Sequence, residues 1–317
     1  MPVNEDEIPV YIINGFLEAG KTKFLTFTLN QEYFQEEGRT LLILCEEGEE
    51  EYPEELLEKT HTVKITVSDY SEISAEKLKA MEAAYNPDRV IIEWNGMWMP
   101  DQFRLPDGWF LNQQITVIDT STFDVYLKNM KPLLGQMLKY TELVMCNRAD
   151  DIPEEKLGNY YLQLKAMTQS AEIVFEGKDG EIRGDFNIEL PYDINADFID
   201  VKPEDFGIFY VDIMDRPKRY EGKKVKYTGQ LLMPPELGLE SFVPGRMVMT
   251  CCAADMKFLG LICRYKGASA FANKNWVKIT GTVHVEDNQE YGGEGPIIYC
   301  EEVVRTSPID EVAGFGN

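Results

Sequence analysis

The sequence predicts an α/β fold with a mostly parallel sheet, followed by a smaller β-rich domain. Three observations lead to this prediction. Short apolar segments alternate with helical segments up to about residue 176, residues 177–206 are rich in Gly, Asp, Pro and Asn, and the later segments alternate polar and apolar residues. A chain of 317 residues is also long enough for two domains.

The elements of the first domain follow from short apolar runs that lie between amphipathic segments. Strands are predicted at 10–13, 40–45, 89–93, 115–119, 142–146 and 171–175, and helices at 22–36, 54–59, 74–84, 121–139 and 154–167. Helices that connect parallel strands cover both faces of the sheet, so the strands are apolar throughout. We therefore assign residues 1–180 to an α/β domain.

The second half has a different pattern, because its apolar residues alternate with polar ones. The alternating segments lie at 222–229, 246–250, 258–264 and 276–284, with turn residues between them. A period of two is typical of strands with one buried face, and several such strands form a small barrel or a sandwich. We assign residues 181–205 to a linker and residues 206–317 to this β-rich domain.

Composition narrows the class of function. The chain has 31 Lys+Arg and 55 Asp+Glu, a net charge of −24, which argues against a general nucleic-acid binder. No apolar run approaches the roughly 18 residues of a membrane span, and the acidic N-terminus has no apolar signal core. Six cysteines are too few for a secreted disulfide scaffold. We expect a cytoplasmic protein with reduced thiols that does not itself span a membrane.

A glycine-rich motif at residues 15–22 follows the first predicted strand and precedes the first predicted helix. It matches G-x-x-x-x-G-K-S/T, the pattern of phosphate-binding loops. Glycine lets the backbone turn its N–H groups toward phosphate, and the helix presents the positive end of its dipole. Lys21 is expected to contact the β- and γ-phosphates, and Thr22 to bind Mg²⁺. The loop positions expected to contact nucleotide are Gly15, Glu18, Ala19, Gly20, Lys21 and Thr22.

A second motif, at residues 147–150, reads Asn-Arg-Ala-Asp and follows the strand predicted at 142–146. It fits the guanine-reading pattern N-K/R-x-D. The Asp carboxylate can accept hydrogen bonds from the N1–H and the exocyclic amine of guanine, a donor pair that adenine lacks. Before the next strand, Ser170 and Ala171 form either an accessory backbone contact or a plain turn. The residues expected to contact the base are Asn147, Arg148, Asp150, Ser170 and Ala171.

Acidic residues follow two strands of the same half. Glu93 ends the strand at 89–93, where a carboxylate beside the phosphate loop would hold the Mg²⁺ shell or orient water, or would simply be solvated. The run at 46–51 holds five glutamates and one glycine. Most of this run is expected to be a solvated loop, although Glu46 or Glu47 would be placed to approach Mg²⁺.

Together these motifs resemble the CobW/HypB/UreG family of P-loop GTPases, and its CobW-like members in particular, over roughly residues 8–176. The segments that correspond to family motifs are 15–22, 45–49, 93–100, 118–119 and 147–150. The resemblance implies a GTP-binding protein with slow intrinsic GTPase activity. Lys21, Glu93 and Glu47 would be catalytic, and Glu46 or Glu47 would join Thr22 at Mg²⁺.

The sequence departs from the family's pattern at three places. Glu18 stands where the family's loop usually has glycine, Trp94 and Asn95 replace two threonines, and residues 61–78 lack the Cys-x-Cys-Cys metal motif of CobW-like members. The family implies metal handling or assembly of a metal centre, with zinc or another transition metal. The missing motif favours an alternative, a nucleotide-gated adaptor or regulator for a membrane permease. A third alternative, an ATP-using kinase, would lose the guanine specificity.

Residues 205–305 resemble the soluble domain of YcgQ-type membrane proteins, which are associated with YcgR-type permeases. The resembling stretches are 220–229, 246–255 and 276–281. This second resemblance implies an OB-like barrel. A metal-centre protein or a permease is therefore the expected partner, nucleic acid is not, and a homo-oligomer stays open.

The second domain also contains the pair Cys251-Cys252. These cysteines are either small buried apolar residues or ligands of a soft metal ion. If residues 253–258 form a turn, Cys251 falls opposite Cys263, and Asp255 or Cys300 would complete the ligand set.

Overall fold

The computed structural model describes residues 7–35, 38–168, 171–182, 186, 190–249, 256–309 and 313. These residues belong to two compact units. The first unit comprises residues up to 153 together with 170–185, and the second comprises 154–169 and the residues from 186 onward. Among the described residues, no helix is both long enough and apolar enough to cross a membrane.

The first unit is organised around one mostly parallel sheet. Its strands are β1 (Ile8–Asn14), β2 (Thr40–Leu44), β3 (Thr62–Thr66), β4 (Arg89–Glu93), β5 (Trp109–Asp119), β6 (Leu143–Asn147), β7 (Glu172–Gly177) and β8 (Gly180–Glu181). The order is β3-β2-β4-β1-β5-β6-β7-β8, and all pairs are parallel except the β7–β8 hairpin. Every residue of β2 is buried, as expected where helices cover both faces of a sheet. The predicted α/β class is confirmed.

The helices that accompany this sheet are α1 (Lys21–Leu29), α2 (Glu32–Gln35), α3 (Glu54–Lys59), α4 (Ala75–Tyr85), α5 (Phe123–Asn129) and α6 (Lys131–Leu138). The single helix predicted at 121–139 is wrong, since the chain leaves helical geometry at Met130 (φ −132°, ψ 26°). Pro132 lies in the first turn of α6, where its missing N–H costs nothing, but inside a continuous helix it would break the hydrogen-bond ladder.

Strand β3 is an element that the sequence analysis did not predict. It lies at the edge of the sheet and pairs only with β2 among the described strands. One side of an edge strand faces water, and accordingly Val63 is 38% exposed. The central residue of the strand, Lys64, is also exposed. A strand of this composition lacks the apolar run by which the buried strands were recognised.

The second unit contains a barrel. Its strands are β9 (Phe198–Asp200), β10 (Lys224–Leu232), β11 (Ser241–Met249), β12 (Met256–Gly260), β13 (Ile262–Arg264), β14 (Trp276–Asn288) and β15 (Gly293–Arg305). They follow the order β12-β11-β13-β15-β14-β10-β9, and an additional pairing of β11 with β10 closes the sheet. Alternate residues of β10 are buried, so the period-two pattern has its expected cause. The predicted β-rich, barrel-containing class is confirmed.

Two helices complete the second unit, α7 (Glu154–Thr168) and α8 (Phe206–Asp215). The sequence analysis assigned the segment of α7 to the first domain and did not predict α8. The apolar run of α8 has no clear period, so its pattern does not distinguish a buried helix from a strand. Asp215 of α8 accepts a hydrogen bond from the Tyr161 hydroxyl (2.7 Å) and pairs with Lys165 (2.9 Å), which joins the two helices.

Candidate nucleotide-binding site

The glycine-rich loop connects the end of β1 to the start of α1. Gly15 and Gly20 both have positive φ, 146° and 97°, in the region that favours glycine. A Cβ atom at Gly20 would lie 2.5 Å from Nδ2 of Asn147, so a side chain there would collide with the loop that follows β6. The backbone therefore turns tightly at the N-terminus of α1, as a phosphate-binding loop requires.

The Lys21 ammonium group is enclosed by this loop. Its Nζ donates to the carbonyl oxygens of Gly15 (2.9 Å) and Phe16 (3.0 Å), and it forms an ion pair with the carboxylate of Glu46. The side chain is only 3% exposed, and these three contacts use all three donors of the ammonium group. Lys21 is therefore held in the loop with its charge balanced by Glu46.

The Glu46 carboxylate is held by a second donor on the far side of the site. The backbone N–H of Gly96, in the loop after β4, donates to the same oxygen, Oε1, at 3.4 Å. An ammonium group and an N–H thus converge on one anionic oxygen. Such a pair of donors is a receptor for any oxyanion, and a phosphate oxygen has the same chemistry as the carboxylate oxygen that is bound there.

The second buried carboxylate, Glu93, ends β4. Its Oε1 accepts from the Thr22 hydroxyl at 2.9 Å, and its Oε2 accepts from the Tyr52 hydroxyl. Burial raises the pKa of Glu93, while the Tyr52 hydroxyl, the Lys21 charge and the Thr22 hydroxyl act in the opposite direction. Because the Thr22 hydroxyl donates its hydrogen bond to Glu93, the lone pairs of its oxygen can coordinate a cation. Hard oxygen donors of this kind fit Mg²⁺.

The end of β6 and the residue after it are attached to the glycine-rich loop by side-chain donors and backbone acceptors. The Asn147 Nδ2 donates to the carbonyl of Ala19 (2.7 Å), and Arg148 donates to the carbonyl of Glu18 (3.0 Å). The Oδ1 atom of Asn147 is buried without a hydrogen-bond partner within the described structure. Arg148 also pairs with Asp119 at the end of β5. This buried acceptor beside the loop is able to accept a hydrogen bond from a bound donor.

Asp150 lies beside the turn between β7 and β8. Its Oδ1 accepts from the backbone N–H of Lys178 at 2.7 Å, while the residue as a whole is exposed. Ala171, which precedes β7, is fully buried. Ser170 lies outside the described residues. The structure thus brings Asn147, Arg148 and Asp150 to one edge of the sheet, next to the glycine-rich loop.

Two further predicted residues lie in or against the loop between β2 and α3. Glu47 is exposed, whereas Glu18 reaches this loop from the glycine-rich segment and accepts from the backbone N–H of Glu49 at 2.8 Å. Glu18 has φ 59°, which is the left-handed region. A cavity of about 200 Å³ lies between the two loops and is lined by Lys21, Glu46, Glu93 and their neighbours.

Comparison with models of known protein families identifies the family of this chain. The model of the CobW/HypB/UreG nucleotide-binding domain matches residues 9–175, more than half of the chain. The chain belongs to the CobW/HypB/UreG family. This is the family that the motifs predict, and it is a family of GTPases. A second model, described as the DUF1980 C-terminal domain, matches residues 160–312.

A curated relative of this CobW/HypB/UreG protein is the zinc-regulated GTPase metalloprotein activator 1 of Schizosaccharomyces pombe. It is 26% identical over 178 residues, which cover 48% of this chain and 41% of that protein. The chain therefore spans about two fifths of the length of this relative.

Solved structures of the hydrogenase maturation factor HypB also match. The HypB of Archaeoglobus fulgidus is 17% identical with a TM-score of 0.41, and covers 56% of this chain and 85% of its own. The HypB of Helicobacter pylori, in complex with nickel, is 16% identical with a TM-score of 0.34, and covers 54% and 80%.

The cysteines predicted for a soft metal are only partly described. Cys251 and Cys252 lie outside the described residues. The predicted position of Cys263 opposite Cys251 therefore stays a prediction. Cys263 on β13 pairs with Phe242 on β11. The condition on which that position rested, a turn over residues 253–258, is not met at its end, because residues 256–258 belong to β12 and pair with β11.

Among the described residues, no group of three or more His, Cys, Asp or Glu side chains is arranged to hold a metal ion. The cysteines within the described ranges are free thiols: Cys45, Cys146, Cys263 and Cys300. Burial raises the pKa of Cys45, the first residue after β2, to about 12, so this thiol stays protonated.

Tyr52 is a site residue that the sequence analysis missed. It is 4% exposed and hydrogen-bonded to Glu93, although it lies far from Glu93 in the sequence. The signal that could have identified it is a single aromatic residue at the end of an otherwise acidic loop, since such a residue has to be buried against something. Its partner could not be identified without the fold.

Proposed function

We propose that this protein is a Mg²⁺-dependent GTPase whose turnover is slow without a partner. The observation that carries the proposal is the convergence of the Lys21 ammonium and the Gly96 N–H on one carboxylate oxygen at the N-terminus of α1. This oxyanion receptor lies where the phosphate-binding motif predicts the terminal phosphate. Family membership supports the same activity.

Each residue has a chemical role in the proposal. Lys21 and the Gly96 N–H would stabilise the terminal phosphate, and Glu93 would hold the Thr22 hydroxyl in place and orient water. Glu47, which is exposed, would approach once phosphate occupies the receptor. Thr22 would hold the Mg²⁺ ion, with Glu46 or Glu47 near it, and the ion would supply charge neutralisation on the phosphates.

The base end supports guanine as the preferred base. Asn147 holds the glycine-rich loop through Ala19 and Arg148 holds it through Glu18, so the base-reading loop and the phosphate loop form one connected unit. Asp150 is exposed on the same edge with Oδ1 held by the Lys178 N–H, and the remaining acceptor sites of its carboxylate would accept from a guanine edge. The backbone at Ala171 and at Ser170 would complete the contact.

The test is calorimetric titration of the full chain with GTP and with ATP, each with Mg²⁺ and then with EDTA. We expect GTP to bind more tightly than ATP and the GTP affinity to fall when Mg²⁺ is removed. Equal affinity for the two nucleotides would exclude guanine reading and favour the ATP-using kinase alternative. Absence of binding would overturn the proposed site.

For the biological role, we propose metal handling or assembly of a metal centre, in which GTP hydrolysis drives the transfer. The name of the Schizosaccharomyces pombe relative, a zinc-regulated GTPase metalloprotein activator, supports this proposal. Zinc or another transition metal would be the cargo, and Cys251 and Cys252 would be its ligands. The client would be a metal-centre protein, and nucleotide-dependent self-association stays part of the proposal.

The competing role is a nucleotide-gated adaptor for a membrane permease without metal chemistry, which the missing Cys-x-Cys-Cys motif favours. Zinc content of the purified protein separates the two. Stoichiometric zinc that is lost when both Cys251 and Cys252 are replaced by Ser would support metal handling. Zinc-free protein that takes up no added metal would favour the adaptor.

A further inference from the structure

Tyr52 closes the acidic loop, residues 45–53, at its C-terminal end. The next residue, Pro53, is the N-cap of α3. The Tyr52 ring packs in the apolar cluster under the sheet, with Leu25 and Leu42 among its members, while its hydroxyl donates to Oε2 of Glu93. Phenylalanine would fill the same space without introducing a polar group, so the hydroxyl is explained by Glu93 rather than by packing.

The second hydrogen bond fixes the orientation of the Glu93 carboxylate. The terminal torsion of a glutamate is broad, so a carboxylate held at one oxygen rotates readily. In this structure Oε1 is held by Thr22 and Oε2 by Tyr52, which leaves one orientation. With that orientation fixed, the Thr22 hydroxyl must point its proton at Glu93 and its lone pairs away.

We propose that Tyr52 is a positioning residue that locks the Glu93 carboxylate and, through it, the Thr22 hydroxyl in the orientation that accepts Mg²⁺ beside the phosphates. This inference rests on the proposed GTPase function and deepens it. The acidic loop is thus attached to the site at both of its ends. Glu46, near its start, contacts Lys21, and Tyr52, near its end, contacts Glu93.

The test measures how strongly Mg²⁺ retards release of a fluorescent GDP analogue from the full chain, as the ratio of release rates in EDTA and in Mg²⁺. Tyr52→Phe is expected to reduce this ratio by about tenfold, the typical loss when a residue that orients a metal ligand is removed. The release rate in EDTA should change little, because the hydroxyl contacts neither loop carbonyls nor phosphate donors.

Two further variants separate positioning from simple loss of stability. Tyr227→Phe removes a buried hydroxyl that donates to the Pro244 carbonyl (3.1 Å) in the second unit. It is expected to lower the melting temperature comparably and to leave the Mg²⁺ ratio unchanged. In a Glu93→Gln background, Tyr52→Phe should have no further effect on the ratio, because Tyr52 acts through Glu93.

The outcomes distinguish failure of the proposed nucleotide site from failure of the role assigned to Tyr52. A wild-type chain whose GDP release does not respond to Mg²⁺ would overturn the proposed site and this inference with it. A normal wild-type response that Tyr52→Phe retains in full would overturn the inference alone. Equal effects of Tyr52→Phe with and without the Glu93 substitution would show that the hydroxyl acts elsewhere. If Tyr52→Phe proves too unstable to assay, Glu93→Gln alone decides, because an unchanged Mg²⁺ ratio would leave Tyr52 nothing to position.

Discussion

The two ends of the proposed nucleotide site are held together by different forces. At the phosphate end, side chains contact one another: Lys21 pairs with Glu46, and the neutral hydroxyls of Thr22 and Tyr52 donate to Glu93. At the base end, side chains mainly contact backbone carbonyls, and Asp150 stays exposed. The phosphate end is therefore preorganised but occupied by its own carboxylate, while the base end is preorganised and open. In the proposed binding mode, the terminal phosphate replaces the Glu46 carboxylate on Lys21, while Asp150 keeps one oxygen on the Lys178 N–H.

The largest effect is expected from Lys21→Ala, which removes the ammonium from the phosphate end. We expect the affinity for both GTP and GDP to fall roughly 100-fold, since hydrogen bonds to charged groups contribute about 1.5–3 kcal/mol each. Calorimetry measures the loss. Lys59→Ala is the control, because Lys59 is exposed at the end of α3 and the substitution changes the net charge equally. Equal losses in both variants would mean that net charge, not the loop, governs binding.

Asp150→Ala tests whether the base end of the proposed site recognises guanine. We expect GTP affinity to fall roughly 10- to 100-fold while ATP affinity stays the same, because the carboxylate contributes charge-assisted hydrogen bonds to guanine alone. Competition binding with the two nucleotides measures the change. The neighbouring Asp151 is also exposed, and Asp151→Ala should leave both affinities at the wild-type value. A parallel loss of ATP affinity in Asp150→Ala would contradict base reading.

Glu46→Gln tests whether the phosphate end is blocked by its own carboxylate. The amide keeps the shape but loses the charge that pairs with Lys21, so the terminal phosphate meets a weaker competitor. We expect GTP to bind about tenfold more tightly, with a smaller gain for GDP. Glu51→Gln, on an exposed residue of the same loop, is the control. Weaker GTP binding in Glu46→Gln would instead indicate that Glu46 serves the Mg²⁺ ion.

The smallest effect is expected from Asp119→Asn. Its partner Arg148 is 51% exposed, so solvent screens the ion pair, and Arg148 keeps its hydrogen bond to the Glu18 carbonyl. We expect the free energy of unfolding to change by less than about 1 kcal/mol. Urea denaturation measures it. A loss of several kcal/mol would mean that the base end depends on charge as strongly as the phosphate end does.

Sequence patterns were sufficient where a strand is buried on both faces or where a motif has fixed spacing. The strands β2 and β4 are almost entirely buried, β1, β6 and β7 contain short apolar runs, and the segments 15–22 and 147–150 match motifs of fixed spacing. Patterns failed at β3, an edge strand without an apolar run, and at α8, where continuous apolar residues have no period. The break at Met130 was missed although Pro132 indicates it, because a proline in the interior of the predicted helix would remove a backbone hydrogen bond.

The amino-acid sequence by itself determined the α/β class, the β-rich second half, the glycine-rich loop and the Asn-Arg-Ala-Asp motif at 147–150, because each depends on residue types at short, fixed spacing. Only the tertiary structure decided the partners of the charged groups. Glu46 contacts Lys21, Tyr52 contacts Glu93, and Asn147 contacts Ala19 because parallel strands bring the loops at their carboxyl ends to one edge of the sheet. Residues that lie 25, 41 and 128 positions apart meet there, and no local pattern encodes such contacts.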